Sequence, residues 1–294
     1  MAASPAPEWD LTLLCCWQLR HNGERVDVGS RQKRLITALA LLGARPRHFL
    51  AGLLWPDSSE PQAAGNLRAS LFRISHDLPH LVQPADPLEL CDGVTVDLAR
   101  VHRLINEVMV VDSPPHAHDD LPADASEVLR AAELLPGWYE DWVLREQDRL
   151  QQQRVEALET LARHHLAVHD LAAAMDAARA ATMLDPLRES AQLILVRGHL
   201  AEDNPASALR VYQHFRHNLG SELGIAPSPR FAELLGVGVA VRADSARADA
   251  AASASARVES QRPDSPRGES PRFDPPRVSG MRIGAARTSD VSRV

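Results

Sequence analysis

Only one lysine, Lys33, stands against 31 arginines, and aromatic side chains fill just 4% of the 294 positions. The lysine deficit reads as compositional bias, not as mechanism. Three cysteines (Cys15, Cys16 and Cys91) cannot pair completely, and two of them are neighbours. That argues against a disulfide scaffold and for a reducing compartment. The longest apolar run, Leu35 to Leu42, contains Thr37 and falls far short of the roughly 20 residues a membrane span needs. Glu8 and Asp10 sit where a signal peptide would be apolar. A cytoplasmic protein without membrane association is expected. No phosphate-binding GxxxxGK[ST], no GxGxxG, no GxSxG and no HExxH occurs. Cys91 has no histidine at a recognisable distance, and His164, His165 and His169 lack a further ligand with metal-site spacing. Hence no enzyme, no cofactor and no metal are expected.

What is present is charge, unevenly placed. The net charge is −7. Residues 1–100 carry −1, residues 101–240 carry −9 and residues 241–294 carry +3. Within the first stretch, residues 30–76 hold Arg31, Lys33, Arg34, Arg45, Arg47, Arg68 and Arg73 against Asp57 and Glu60, a local +5. A basic island of that kind is an electrostatic footprint for nucleic acid, and equally an ordinary solvated helix surface.

The first hundred residues read as strands, three helices and a hairpin. Residues 11–19 and 25–28 are apolar or alternating runs split by the turn signal Asn22–Gly23. Ser30 can cap a helix carrying Leu35, Ile36, Leu39 and Leu42, with Gly43 as its stop. A short helix fits 48–54. Ser59 and Gln62 form a capping-box pattern before a third helix, in which Leu67, Leu71, Ile74 and Leu78 face the core. The opposite side presents Gln62, Asn66, Ala69, Arg73 and His76, with Arg68 on the flank. Phe72 is expected to pack beneath the hairpin, the alternative being contact with a thymine methyl. Residues 87–96 read as two strands around Asp92–Gly93. Three helices then a hairpin is the order of a winged helix, whose third helix enters the major groove. Arginine and asparagine there suit guanine, phosphate and adenine.

A different pattern governs the middle of the chain. Residues 161–181 shifted by 34 onto 195–215 give identities at Leu161/Leu195, Arg163/Arg197, His165/His199, Leu166/Leu200, Ala167/Ala201, Ala172/Ala206 and Ala174/Ala208. That period is the tetratricopeptide signature of paired helices. Asp185–Pro186 closes the first unit, with proline starting the next helix. Residues 123–158 supply earlier helices. Such arrays offer surfaces to partners and perform no chemistry.

Several strings then combine in one order: Leu53–Leu54–Trp55–Pro56–Asp57; Asn66–Leu67–Arg68 with Leu71 and Arg73; Leu134–Leu135–Pro136–Gly137 with Asp141–Trp142–Val143; Asp185–Pro186–Leu187–Arg188–Glu189; and Glu222–Leu223–Gly224–Ile225–Ala226–Pro227–Ser228–Pro229. Over about residues 10–235 the chain resembles the SARP-like transcriptional activators. These join a response-regulator-type winged helix to a bacterial transcriptional activator domain. The fold implied is mainly α with a small β component, a winged helix-turn-helix domain followed by an all-α tetratricopeptide-like domain and a disordered tail. The domains are 10–100, 101–238 and 239–294. The resemblance implies an activator that binds direct repeats in double-stranded promoter DNA through Asn66, Arg68 and Arg73, with Arg31 and Arg34 as outer contacts. Its helical domain would serve RNA polymerase contacts, homodimer contacts or ligand sensing. Trp138 and Trp142 fall at the domain junction and are expected in the core.

The chain departs from the family in two places. Ser75, His76 and Asp77 stand where further arginines are usual, and residues 81–97 hold Asp86, Glu89, Asp92 and Asp97 with no cation. A wing without a cation predicts weak or cooperative binding. It also supports the alternative of an adaptor with a degenerate DNA-binding domain. Residues 241–294, with arginine at every fifth position from Arg262 to Arg287, match neither helix nor strand period. Larger relatives carry an NTPase segment beyond this point, for which these residues show no motif.

Overall fold

A computed structural model describes residues 9–110, 122 and 124–236, and all structural statements concern these. The chain divides into units Met1–Val239 and Ala240–Val294. The second unit, and with it the expected disordered tail, lies outside the described residues.

Four short strands open and close the winged part: β1 (Trp9–Thr12), β2 (Gln18–His21), β3 (Glu24–Val26) and β4 (Val94–Val96). They form one sheet in the order β3-β2-β1-β4, antiparallel except that β4 runs parallel to β1. Asn22 and Gly23 have φ of 50° and 86°, the backbone that a two-residue hairpin needs. The run 11–19 is not one strand. It breaks between β1 and β2 around Cys15, whose φ of 63° puts it outside the extended region.

Helices α1 (Ser30–Leu42), α2 (Arg47–Leu54) and α3 (Glu60–Asp77) follow. Leu35, Ile36, Leu39, Leu67 and Ile74 are buried as their spacing requires, and Leu71 packs against the same core. Two caps differ from expectation. Gly29, not Ser30, precedes α1, and Ser59 makes no side-chain bond at the start of α3. Pro61 in the first turn of α3 lacks an N–H to be capped.

The hairpin is also displaced. Val82 bridges Leu90, Gln83 N donates to Glu89 O, and Cys91 N donates to Leu81 O. The wing is therefore residues 81–91, turning near Pro84–Pro87. Asp92–Gly93 instead makes the turn that delivers β4 to the N-terminal sheet, through Val94 N to Cys91 O. Leu88 pairs with Arg45 in both directions at 2.9 Å, a partner 43 residues away that local patterning could not show.

The helical part comprises α4 (Leu98–Val110), α5 (Ala125–Ala131), α6 (Asp141–Ala167), α7 (Leu171–Leu184), α8 (Glu189–Ala201), α9 (Pro205–Leu223) and α10 (Pro229–Leu235). The 34-residue period is physical. Helices α6 and α8 end at Ala167 and Ala201, and α7 and α9 begin at Leu171 and Pro205. Asp170 caps Ala173 N at 3.1 Å, and Asn204 caps Ser207 N at the same distance. Ala174 and Ala208 are both fully buried where the paired helices cross. Pro186, expected to start a helix, lies in the turn after α7, and α8 begins at Glu189.

One apolar core runs from Trp9 through the winged helices and into α6, α7 and α8. Trp142 lies in it and Trp138 packs against it. Backbone bonds join the two parts. Cys15 N donates to Glu133 O at 2.7 Å and Leu135 N donates to Leu13 O at 2.9 Å, while within the helical part the Gln147 side chain donates through Nε2 to the carbonyls of Leu134 and Leu135.

Candidate nucleic-acid interface

Burial of Ala63, Leu67, Ser70 and Ile74 fixes the rotation of α3. Ser70 spends its hydroxyl on the Asn66 carbonyl at 2.9 Å, so the one fully buried polar side chain of the helix is satisfied. Outward stand Gln62, Arg68, Ala69, Phe72, Arg73, Ser75 and His76. Compared with the face read from periodicity, the exposed arc is turned toward Arg68 and Phe72. Asn66 is half-buried at its edge.

Phe72 is not packed under the hairpin. It is 73% exposed in the middle of this face, its ring stacked over His76 with centroids 6.5 Å apart and planes within 3°. The core already takes Ile74 and Leu71 from that turn, which leaves position 72 pointing outward at 100° per residue.

Arg68 and Arg73 are exposed, and the acidic residues of α3, Glu60 and Asp77, sit at its two ends. The arginines on α1 fare differently. Arg31 is exposed in the first turn. Arg34 is about one-third exposed, and its Nε lies 3.1 Å from the carboxylate of Glu140 at the head of α6. Lys33 rests over the Trp17 ring at 4.9 Å, and Trp17 Nε1 donates to Thr37 at 2.9 Å.

The wing is less bare than residues 81–97 suggested. Arg47, at the start of α2, donates its backbone N–H to Asp86 Oδ1 at 3.2 Å and its guanidinium to Ala85 O at 3.2 Å. Arg45, paired with Leu88, holds its guanidinium 5.9 Å over Phe49. Two cations from another part of the chain thus stand at the wing. Asp97 does not belong to the wing at all. Its carboxylate accepts from Leu13 N and Leu14 N at 2.9 and 3.0 Å, which ties the end of β4 to β1. Sequence reasoning missed Arg45, Arg47 and Asp97 in these roles because each acts on a distant segment.

In the helical part several charged groups are engaged with the protein itself. Arg154 is 5% exposed and donates to the carbonyls of Leu129 and Arg130, both at 2.5 Å. It closes the end of α5, and burial lowers its pKa. Glu159, also buried, accepts from Arg188 Nε at 3.0 Å and from Ser190. The hydrogen bond to Glu159 raises the pKa of Arg188. The repeat-equivalent His165 and His199 each lie beside an acid, Asp170 and Glu202, at different offsets in the two units. Among the described residues no group of three histidine, cysteine or acidic side chains could hold a metal ion, and no helix is long and apolar enough to cross a membrane.

Residues 96–236 match the family model of the bacterial transcriptional activator domain. The regulatory protein AfsR of Streptomyces coelicolor is 31% identical over 228 residues, an alignment covering 72% of this chain and 22% of AfsR. This chain thus spans about a fifth of that relative's length. Mycobacterium tuberculosis EmbR, solved in complex with a low affinity phosphopeptide, shares the fold with a TM-score of 0.57 at 23% identity, covering 78% of this chain and 64% of that one. These likenesses bear out the resemblance to the SARP-like transcriptional activators.

Proposed function

We propose, starting from a chain that joins a winged helix to a bacterial transcriptional activator domain, that it binds double-stranded promoter DNA and passes that contact to the transcription machinery. In this reading α3 lies in the major groove. Arg68 and Arg73 reach base edges or phosphates, Asn66 approaches an adenine from the rim, and the wing with Arg45 and Arg47 follows the adjacent backbone. Arg31 is an outer phosphate contact. Arg34, already beside Glu140, is the least available member of the set. The helical repeat then offers its surface to RNA polymerase or to a second copy of the chain, and no catalytic step is required. We take residues 10–100, 101–238 and 239–294 as the working domains.

The observation that carries the reading is the outward face of α3. It holds two exposed arginines around an exposed aromatic ring, with no acid between the ends of the helix. The rival reading, an adaptor whose winged helix no longer binds DNA, draws on the acids Asp86 and Glu89 of the wing. A gel-shift series against the DNA upstream of its own coding region separates the two. Binding that falls steeply as salt rises supports the regulator, because phosphate contacts release counterions. Absence of binding at low salt supports the adaptor.

A further inference from the structure

An aromatic ring that is 73% exposed on a helix face carrying two arginines and no acid between its ends is unfavourable in water, where apolar surface gains nothing. Phe72 fills no gap in the core, since Leu67, Leu71 and Ile74 already cover that side of α3. Its exposed neighbours one turn away are Arg68, Ala69, Ser75 and His76, of which Ala69 is small and His76 stacks against it. The result is a short apolar ridge flanked by Arg68 and Arg73.

Charge selects among occupants for this ridge. A second copy docking here by two-fold symmetry would bring Arg68 and Arg73 against their own counterparts, with only Glu60 and Asp77 at the helix ends to compensate. The major groove supplies what the ridge needs: phosphates for the flanking arginines and, at each thymine, one projecting methyl group.

The geometry points to Phe72 as a specificity-determining residue that reads a thymine C5-methyl at the step facing the middle of α3. This rests on the reading above that α3 enters the major groove, and it adds the base and the group on that base that are recognised. Adenine pairing is untouched when thymine is replaced by deoxyuridine, so the methyl can be deleted alone.

The test starts with the full chain and a duplex selected by it from a random-sequence pool. Each thymine of that duplex is then replaced in turn by deoxyuridine. We expect a loss of about fourfold in affinity at one position per bound half-site, the effect of one methyl group buried from water, and little elsewhere. With Phe72→Ala, that position should become indifferent to the change. Because the side chain is exposed, Phe72→Ala should melt as the parent does. Arg73→Ala should bind more weakly overall yet keep the deoxyuridine penalty. Equal affinity for thymine and deoxyuridine at every position would overturn the assignment while leaving DNA binding intact. So would a penalty that survives Phe72→Ala, or a Phe72→Ala variant that changes its oligomeric state and not its base preference. Failure to select any duplex would overturn the assignment together with the reading it rests on.

Discussion

Arg154 and Arg73 both lie on long helices, α6 and α3, and their surroundings are opposite. Arg154 is buried with its guanidinium on two carbonyls, whereas Arg73 stands exposed. The contrast extends to their neighbours. In the helical part Arg188 meets Glu159 and Arg130 meets Glu127, while in the winged part Arg68 and Arg31 are exposed and Arg45 and Arg47 line the wing. A buried cation stays only where acceptors compensate its desolvation. An exposed cation costs the fold little and remains available to a polyanion. The net −7 therefore describes neither part. In the helical repeat Arg154 and Arg188 hold structure, whereas Arg68 and Arg73 on α3 stand exposed.

Substitutions can break that contrast in order of size. Arg154→Met leaves the carbonyls of Leu129 and Arg130 without their donors and should cost about 1–3 kcal/mol in chemical denaturation, with DNA affinity of the folded protein unchanged. Arg73→Ala should do the reverse, weakening DNA binding about tenfold with the melting temperature held. Glu140→Gln removes the partner of Arg34, and the pair is about one-third exposed. Its stability effect should stay below about 1 kcal/mol, and the salt dependence of DNA binding should not move.

The smallest effect is a pH dependence. Burial, aided by Arg149 and opposed by Glu146, lowers the pKa of His102 from 6.5. Below that value the unfolded chain takes up a proton that the folded chain resists, so stability present above about pH 6.5 is lost as pH falls. Denaturation midpoints at pH 7 and pH 5 should differ less in His102→Gln than in the parent.

The features legible in the sequence were those whose cause is local. The 34-residue period appeared because each helical hairpin repeats its own cap, Asp170 and Asn204, and its own crossing alanine, Ala174 and Ala208. The Asn22–Gly23 turn and the buried stripe of α3 were readable for the same reason. The wing was misplaced because Leu88 is paired by Arg45, and β4 because its partner is β1. Phe72 was misjudged because periodicity says which residues a helix can bury, not when the core is already full. Arg34 looked like a free cation until Glu140, 106 positions later, came beside it.

The central claim is that the cations of α3 are held for a polyanion. It is tested most directly by the slope of log affinity against log salt for a selected duplex, in the parent and in the Arg68→Ala/Arg73→Ala double variant. A steep parental slope, shallower by about one to two units in the double variant at an unchanged melting temperature, is the predicted result. Equal slopes in the two proteins would contradict it.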